Sequence, residues 1–185
     1  MEPETATDHQ GLGVEIRMRR ATIPALAFVP THLNRTYGIP LALAGFVVML
    51  FGAGGLVYAA LSAALVRRLG EPGLAFGGGI LLFMCFTGIA ARSTLLIAAA
   101  ACLIAGLGFY MLHNTLQVNA TQMAPAQRGS SLALFACTLF MGHAAGVTVA
   151  GVFVERVGTG PVIAGAGVLL LLVGLAFAAA LQRKR

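Results

Sequence analysis

Two neighbouring apolar segments carry the polar side chains that could do chemistry in this sequence. His113, Asn114 and Gln117 lie together, and His113 and Gln117 share one helical face because they are four residues apart. Thr138 and His143 lie within the next apolar segment. Such groups can hydrogen-bond a small molecule, and a histidine there can exchange a proton near neutral pH. These five side chains are candidates for lining a substrate cavity, and His143 is a candidate for a proton relay. The alternative is that they hydrogen-bond to neighbouring helices, to a backbone carbonyl or to lipid headgroups.

Residues for catalysis or for holding a metal are not brought together by the sequence. No Asp follows Asp8, and no serine after it has a histidine three or four residues away. The three cysteines form no CxxC or Cys/His spacing, and the run Gly77–Gly79 lacks the GK[ST] of a phosphate loop. We therefore expect no enzyme activity, no metal and no cofactor.

Composition places the chain in lipid. Apolar residues make up 58% and charged residues 10% of its 185 residues, and the mean hydropathy is +0.89. A soluble domain carries about 25% charged residues. The net charge of +6 comes from basic residues scattered between long uncharged stretches, so it indicates membrane flanks and not a nucleic-acid surface.

Five segments are long enough to cross a bilayer, which takes about 20 helical residues. Their interiors contain no Asp, Glu, Lys or Arg, and short turns at 67–72, 91–93, 121–129 and 155–160 separate them. The predicted fold class is therefore all-α, a polytopic bundle of antiparallel transmembrane helices. The predicted spans are Leu41–Val66, Gly73–Ala91, Thr94–Val118, Ser131–Val154 and Pro161–Leu181.

The basic residues predict an orientation. With the C-terminus in the cytoplasm, the cytoplasmic side holds six basic residues and the opposite side holds Arg35, Arg92 and Arg156. The positive-inside rule favours this arrangement, and we expect an integral protein of a bacterial inner membrane. The six are Arg67, Arg68, Arg128, Arg183, Lys184 and Arg185.

The N-terminal region differs from the rest of the chain. Residues 1–20 are polar and charged, and we expect a disordered tail there. The transmembrane domain would then cover 21–185 and begin with a partial span at 21–34, too short to cross. A signal peptide is disfavoured by the long acidic tail and by the missing cleavage site.

An internal repeat relates the chain to itself at an offset of 88 residues. Residues 65–82 match 153–170 at seven identical positions, including the turn that ends in Gly70 and Gly158. Three helices separate the copies, so the two units have opposite orientations in the membrane. Inverted three-helix repeats are a construction principle of secondary transporters.

Within residues 27–181 a loop motif at Val66–Gly70 is followed by a turn motif at Pro125–Gly129, and apolar helices rich in glycine flank both. The order and spacing of these motifs resemble the C-terminal half of a major facilitator superfamily transporter of the drug and sugar efflux branch. Val66-Arg67-Arg68-Leu69-Gly70 is similar to the family's D-R-x-G gating loop, with Arg67 where the family usually has Asp. Pro125-Ala126-Gln127-Arg128-Gly129 is similar to its P-x-x-R-G turn. Helix-packing positions are assigned to the glycines Gly52, Gly54, Gly55, Gly142, Gly146 and Gly151.

The resemblance implies a secondary active transporter of small molecules, with proton-coupled efflux, in a C-terminal half or truncated form. The alternative is a transport-inactive fragment or half-size subunit that pairs with another helical membrane protein. Expected partners are the lipid bilayer, a small-molecule substrate, and a missing N-terminal half or a second copy. No nucleic-acid partner is expected.

Overall fold

The computed structural model describes residues 26–91, 94–122 and 128–183, and throughout these ranges the chain is helical apart from short turns. A first helix, α1, covers 26–37, and four longer helices follow it. All four are long and apolar enough to cross a membrane. The expected all-helical membrane fold is therefore confirmed. The longer helices are α2 (Leu41–Ala90), α3 (Leu95–Gln122), α4 (Arg128–Val157) and α5 (Thr159–Arg183).

Helix α2 is two membrane passes joined at a single residue. Its 50 residues would reach about 75 Å if straight, more than twice the bilayer core. Gly70 interrupts it with φ 63° and ψ 175°, a conformation that side chains larger than glycine disfavour. We name residues 41–69 the first arm of α2 and residues 71–90 its second arm.

Contacts with α3 show that the two arms run in opposite directions. Along the first arm, Phe51 lies beside Gly106 and Tyr58 beside Asn114, so this arm is parallel to α3. Along the second arm, Glu71 contacts Asn119 and Gly78 lies beside Gly108, so that arm is antiparallel to α3. The four long helices therefore supply five apolar passes, two of them from α2.

The turns are shorter than the sequence predicts. The predicted turns at 67–72 and 155–160 are wrong in extent, because the helices continue up to Gly70 and Gly158. Gly158 has φ 85°, so at both of these two reversals a glycine of positive φ ends the helix. The predicted turn at 121–129 is also too long, since α3 continues to Gln122 and α4 begins at Arg128.

Helix α1 ends later than the partial span predicted at 21–34, because it continues to residue 37. Its described part, residues 26–37, covers about 18 Å. Gly38 ends it with φ 66°, and the Asn34 side-chain amide donates to the Ile39 carbonyl at 2.7 Å. The predicted tail at 1–20 and residues 21–25 lie outside the described residues.

The core is built from α1, both arms of α2, α3 and α5. Small residues let these helices approach, as where Gly79 faces Gly174 and Gly78 faces Gly108. Helix α4 is packed least, and Phe135 is its most buried large side chain among those described. The fully buried side chains of the core include Phe86, Leu82, Leu112, Ile163 and Leu170.

Candidate functional site

The closest helix approach joins the first arm of α2 to α3. A Cβ on Gly54 would collide with the Leu103 carbonyl oxygen, and one on Gly106 with the Phe51 carbonyl oxygen. Glycine at both positions therefore permits backbone contact between the two helices. This contact fixes how side chains one turn further along meet.

Aromatic rings fill that next turn. A Cβ on Gly55 would overlap the Tyr110 ring, so the absence of a side chain there makes room for it. Tyr110 stacks with the buried Tyr58, with ring centroids 6.5 Å apart and planes at 21°. The Asn114 amide points to the Tyr58 hydroxyl at 3.4 Å, a long hydrogen bond. Asn114 itself is exposed.

His113 lies between the rings of two helices. Its ring is 5.3 Å from Phe109 of α3 at 22° and 6.0 Å from Phe135 of α4 at 27°. Tyr110 meets it edge-on at 6.5 Å and 67°. The imidazole is half-buried. We name the group the α3 site, and its members are Tyr58, Phe109, Tyr110, His113, Asn114 and Phe135.

The α3 site contains no formal charge, because the spans that form it hold no Asp, Glu, Lys or Arg. Its ring faces are electron-rich and attract a cation placed over them. The rings described around His113 are those of Phe109, Tyr110 and Phe135. The site can stack a planar group and hydrogen-bond it through Asn114 and the tyrosine hydroxyls.

The other predicted cavity residues lie at different distances from this group. Gln117 is half-buried one turn beyond His113 on α3. Thr138 is half-buried on α4, three residues after Phe135 and hence on a neighbouring face. His143 is half-buried eight residues after Phe135, about 12 Å further along α4. The structure thus gathers His113 and Asn114, with Gln117 and Thr138 beside them, and leaves His143 apart.

The predicted gating-loop residues lie at one end of the bundle. Arg67 and Arg68 are exposed at the end of the first arm, just before the break at Gly70. Arg128 begins α4, and Gly129 is exposed with open space around it. Residues 125–127 of the second motif lie outside the described part of the chain.

The predicted packing glycines divide into two kinds. Gly54 and Gly55 make the close approaches given above, whereas Gly52 is exposed and a Cβ there would meet nothing within 4 Å. On α4, Gly142 and Gly146 are buried. A Cβ on Gly151 would be an ordinary 3.9 Å from the Phe28 ring.

Sequence reasoning missed the aromatic members of the α3 site and a second polar site at the other end of the bundle. The signal for the first was an aromatic pair, Phe109 and Tyr110, one turn before His113. The second site is formed by His32, which is 3% exposed, and Thr159. A histidine in an apolar segment is itself a signal for function, and His32 lay within the predicted partial span.

His32 lies at the base of an open cavity of about 540 Å³ between α1, the second arm of α2 and α5. Thr159 Oγ1 is 2.8 Å from its Nδ1, and the Ile89 carbonyl oxygen is 3.1 Å from its Nε2. Since a carbonyl can only accept, Nε2 donates and Nδ1 accepts from the Thr159 hydroxyl. Arg35 also lines the cavity and is exposed.

The profile of the Major Facilitator Superfamily matches residues 18–147. The chain belongs to the Major Facilitator Superfamily. No curated protein and no solved structure matches it significantly. A chain of this superfamily is a membrane transporter, and lipid surrounds the apolar outer faces of its helices.

Proposed function

We propose that this chain is the C-terminal half of a secondary active transporter that exports small molecules, and that the α3 site is its share of the substrate site. The observation that carries the proposal is the contact of His113 with Phe135, beside Asn114 and Tyr58. It joins three passes, α3, α4 and the first arm of α2, through polar and aromatic groups. Polar groups are costly within a bilayer and mark substrate pathways.

The same site supports proton coupling. The interiors of the five passes carry no carboxylate, so a proton carried there rests on another titratable group. Histidine is the side chain that titrates near neutral pH. His113, in the α3 site, and His143, further along α4, are the candidates on the helices that form the site. Substrate and proton would then compete for one face of α3.

The basic residues support a cytoplasmic C-terminus in a bacterial inner membrane. Arg67, Arg68 and Arg183 lie at the end of the bundle that carries the Gly70 turn, and Arg35 and Arg156 lie at the other. Reporter fusions after Gly38, Ala91, Arg128, Val157 and Arg185 test this orientation. We expect Arg128 and Arg185 inside and the other three outside, and the reverse pattern would contradict it.

Transport is tested by expressing the chain in cells that lack their own efflux pumps and following loss of planar aromatic dyes. We expect faster loss than in empty cells, dependence on the proton gradient, and at least a tenfold slower rate for His113→Ala. The matched control is Thr148→Val on α4, because the described hydrogen bond of the Thr148 hydroxyl, to the Ala144 carbonyl, lies within its own helix. An unchanged rate in His113→Ala would rule out the α3 site as the substrate site.

A half-size subunit is the second candidate, and the exposure of α4 favours it. Phe140 and Met141 of α4 are 70% and 74% exposed, leaving broad apolar faces for lipid or for a partner. If the chain alone shows no transport, its co-expression with a six-span neighbour from the same genome distinguishes the candidates. If the neighbour restores transport, the result supports a split transporter. If transport is still absent, the result supports a transport-inactive chain.

A further inference from the structure

Two polar pairs join helices that are distant in sequence. In the first pair, the Asn119 side-chain amide donates to Glu71 Oε2 at 3.0 Å and to the Thr115 carbonyl at 2.9 Å. In the second, the Thr159 hydroxyl donates to His32 as described above. The Asn119–Glu71 pair links α3 to the second arm of α2. The His32–Thr159 pair links α1 to α5.

The internal repeat makes these pairs equivalent. Adding the 88-residue offset to 71 gives 159, so Glu71 and Thr159 occupy the same repeat position. Each follows a glycine of positive φ, Gly70 or Gly158, and so begins the third helical segment of its unit. Adding 88 to 32 gives 120, one residue from Asn119 on the first helix of the second unit. Both pairs therefore join a first helix to the start of a third.

The two third segments, the second arm of α2 and α5, also pack against each other at positions that the 88-residue offset relates. A Cβ on Gly79 would lie 3.1 Å from Gly174 Cα. In the repeat, Gly79 of the first unit is equivalent to Gly167 of the second, and Gly174 of the second is equivalent to Phe86 of the first. These two equivalent positions are also in contact, since a Cβ on Gly167 would lie 3.2 Å from Phe86 Cβ. The second arm of α2 and α5 thus pack against each other symmetrically, about a pseudo-two-fold axis that relates the two units.

The pairing is crossed between units. The first unit contains α1 and both arms of α2, and the second contains α3, α4 and α5. His32 of the first unit holds the third segment of the second, and Asn119 of the second holds the third segment of the first. One pair lies at each end of the bundle, because the Gly70 and Gly158 turns are at opposite ends.

We propose that the two pairs are equivalent clamps that fasten the two three-helix units into a single body. Neither clamp includes α4. The His32–Thr159 pair is buried and the Asn119–Glu71 pair is half-buried, so water does not fully replace either hydrogen bond and each resists separation of the helices it joins. Because one clamp lies at each end of the bundle, the two units cannot separate at either end without breaking a hydrogen bond between helices. This role is separate from transport and does not depend on it.

Thermal unfolding of the purified chain in detergent tests the clamps through pairwise coupling. We expect Asn119→Ala and Thr159→Val each to lower Tm by about 2–4 °C, the shift for loss of one hydrogen bond in a chain of this size. Within a clamp, Glu71→Ala with Asn119→Ala should lower Tm no further than the larger single effect. Across clamps, Asn119→Ala with Thr159→Val should add, since the sites share no partner.

Each clamp has a matched control close by, Thr121 beside Asn119 on α3 and Thr87 in the cavity that His32 and Thr159 line. Thr121→Val on α3 and Thr87→Val on α2 remove hydroxyls whose hydrogen bonds, among the described residues, lie within their own helices. We expect these controls to shift Tm by less than the clamp variants. Equal shifts in controls and clamps, or additive effects within a clamp, would overturn the proposal.

Cross-linking keeps the proposal testable if the clamp variants fail to fold. With the cysteines at 85, 102 and 137 replaced by alanine, cysteine pairs are introduced as Glu71→Cys with Asn119→Cys and His32→Cys with Thr159→Cys. A short bifunctional maleimide should link both pairs in membranes and raise Tm. The control pair, Thr87→Cys with Thr121→Cys, lies at opposite ends of the bundle and should not link. Failure of both clamp pairs to link would contradict the crossed arrangement.

Discussion

Helices α3 and α4 are neighbours of similar length and similar apolar composition, yet they are packed in different ways. Along α3, Gly106 contacts the first arm of α2 and Gly108 contacts the second arm, so two partners meet its backbone. Along α4, the described buried positions are Phe135, Gly142 and Gly146. In a bilayer, apolar composition therefore shows only that a helix lies in lipid. Burial of its side chains depends on where a small residue meets the backbone of a neighbouring helix.

The largest expected effect comes from Gly106→Ala. The new Cβ would meet the Phe51 backbone, which cannot move aside as a flexible side chain can. We expect a loss of more than about 3 kcal/mol in the free energy of unfolding, at or beyond the upper end for overpacking. Tm in detergent and the yield of folded protein measure it.

The matched change on α4 is Gly151→Ala. Its Cβ would have ordinary contact with Phe28, and alanine favours a helix over glycine by about 0.5–1 kcal/mol. We expect Tm to stay the same or rise. A large fall for Gly151→Ala, or none for Gly106→Ala, would remove the distinction between the two helices.

An intermediate effect is expected where α4 does contact the bundle. Phe135→Ala removes the ring that stacks on His113 and should cost about 2 kcal/mol, less than is usual for a buried aromatic, because α4 is packed on few sides. Phe140→Ala is its control, since Phe140 is 70% exposed and should change stability by less than about 0.5 kcal/mol. Equal effects from both would mean that α4 is not anchored through Phe135.

The helical fold was predictable from sequence because hydropathy and segment length depend on the solvent, which is the bilayer. The two passes of α2 followed from apolar runs on either side of Arg67 and Arg68. The extent of the turns was not predictable, because one glycine in the left-handed region reverses the chain and the polar residues around it remain helical.

The candidate site was predictable only in its polar members. His113 and Asn114 stand out because polar side chains are rare within the spans, whereas Phe135 is one of many apolar residues on α4. Gly52 and Gly54 look alike in sequence, but only Gly54 meets a partner backbone. The His32–Thr159 pair spans 127 residues of sequence, and a contact of that kind is set by tertiary packing.

The smallest expected effect concerns the link between α3 and the first arm of α2 within the α3 site. Tyr58→Phe removes the hydroxyl that accepts from Asn114 and keeps the ring that stacks on Tyr110. Because that hydrogen bond is 3.4 Å long and Asn114 is exposed, water or lipid headgroups can replace it. We expect a change below about 0.5 kcal/mol, less than a typical hydrogen bond contributes.

The same Tyr58→Phe variant separates stability from substrate binding. If the hydroxyl orients Asn114 for substrate, dye export should slow while Tm is unchanged, and Asn114→Ala should slow export to the same degree. A Tm loss as large as that of Phe135→Ala would instead assign the hydroxyl to packing. The α3 site would then stabilise the packing of α3, as Gly106 does. Its polar members would be packing residues of α3 and not substrate-binding residues.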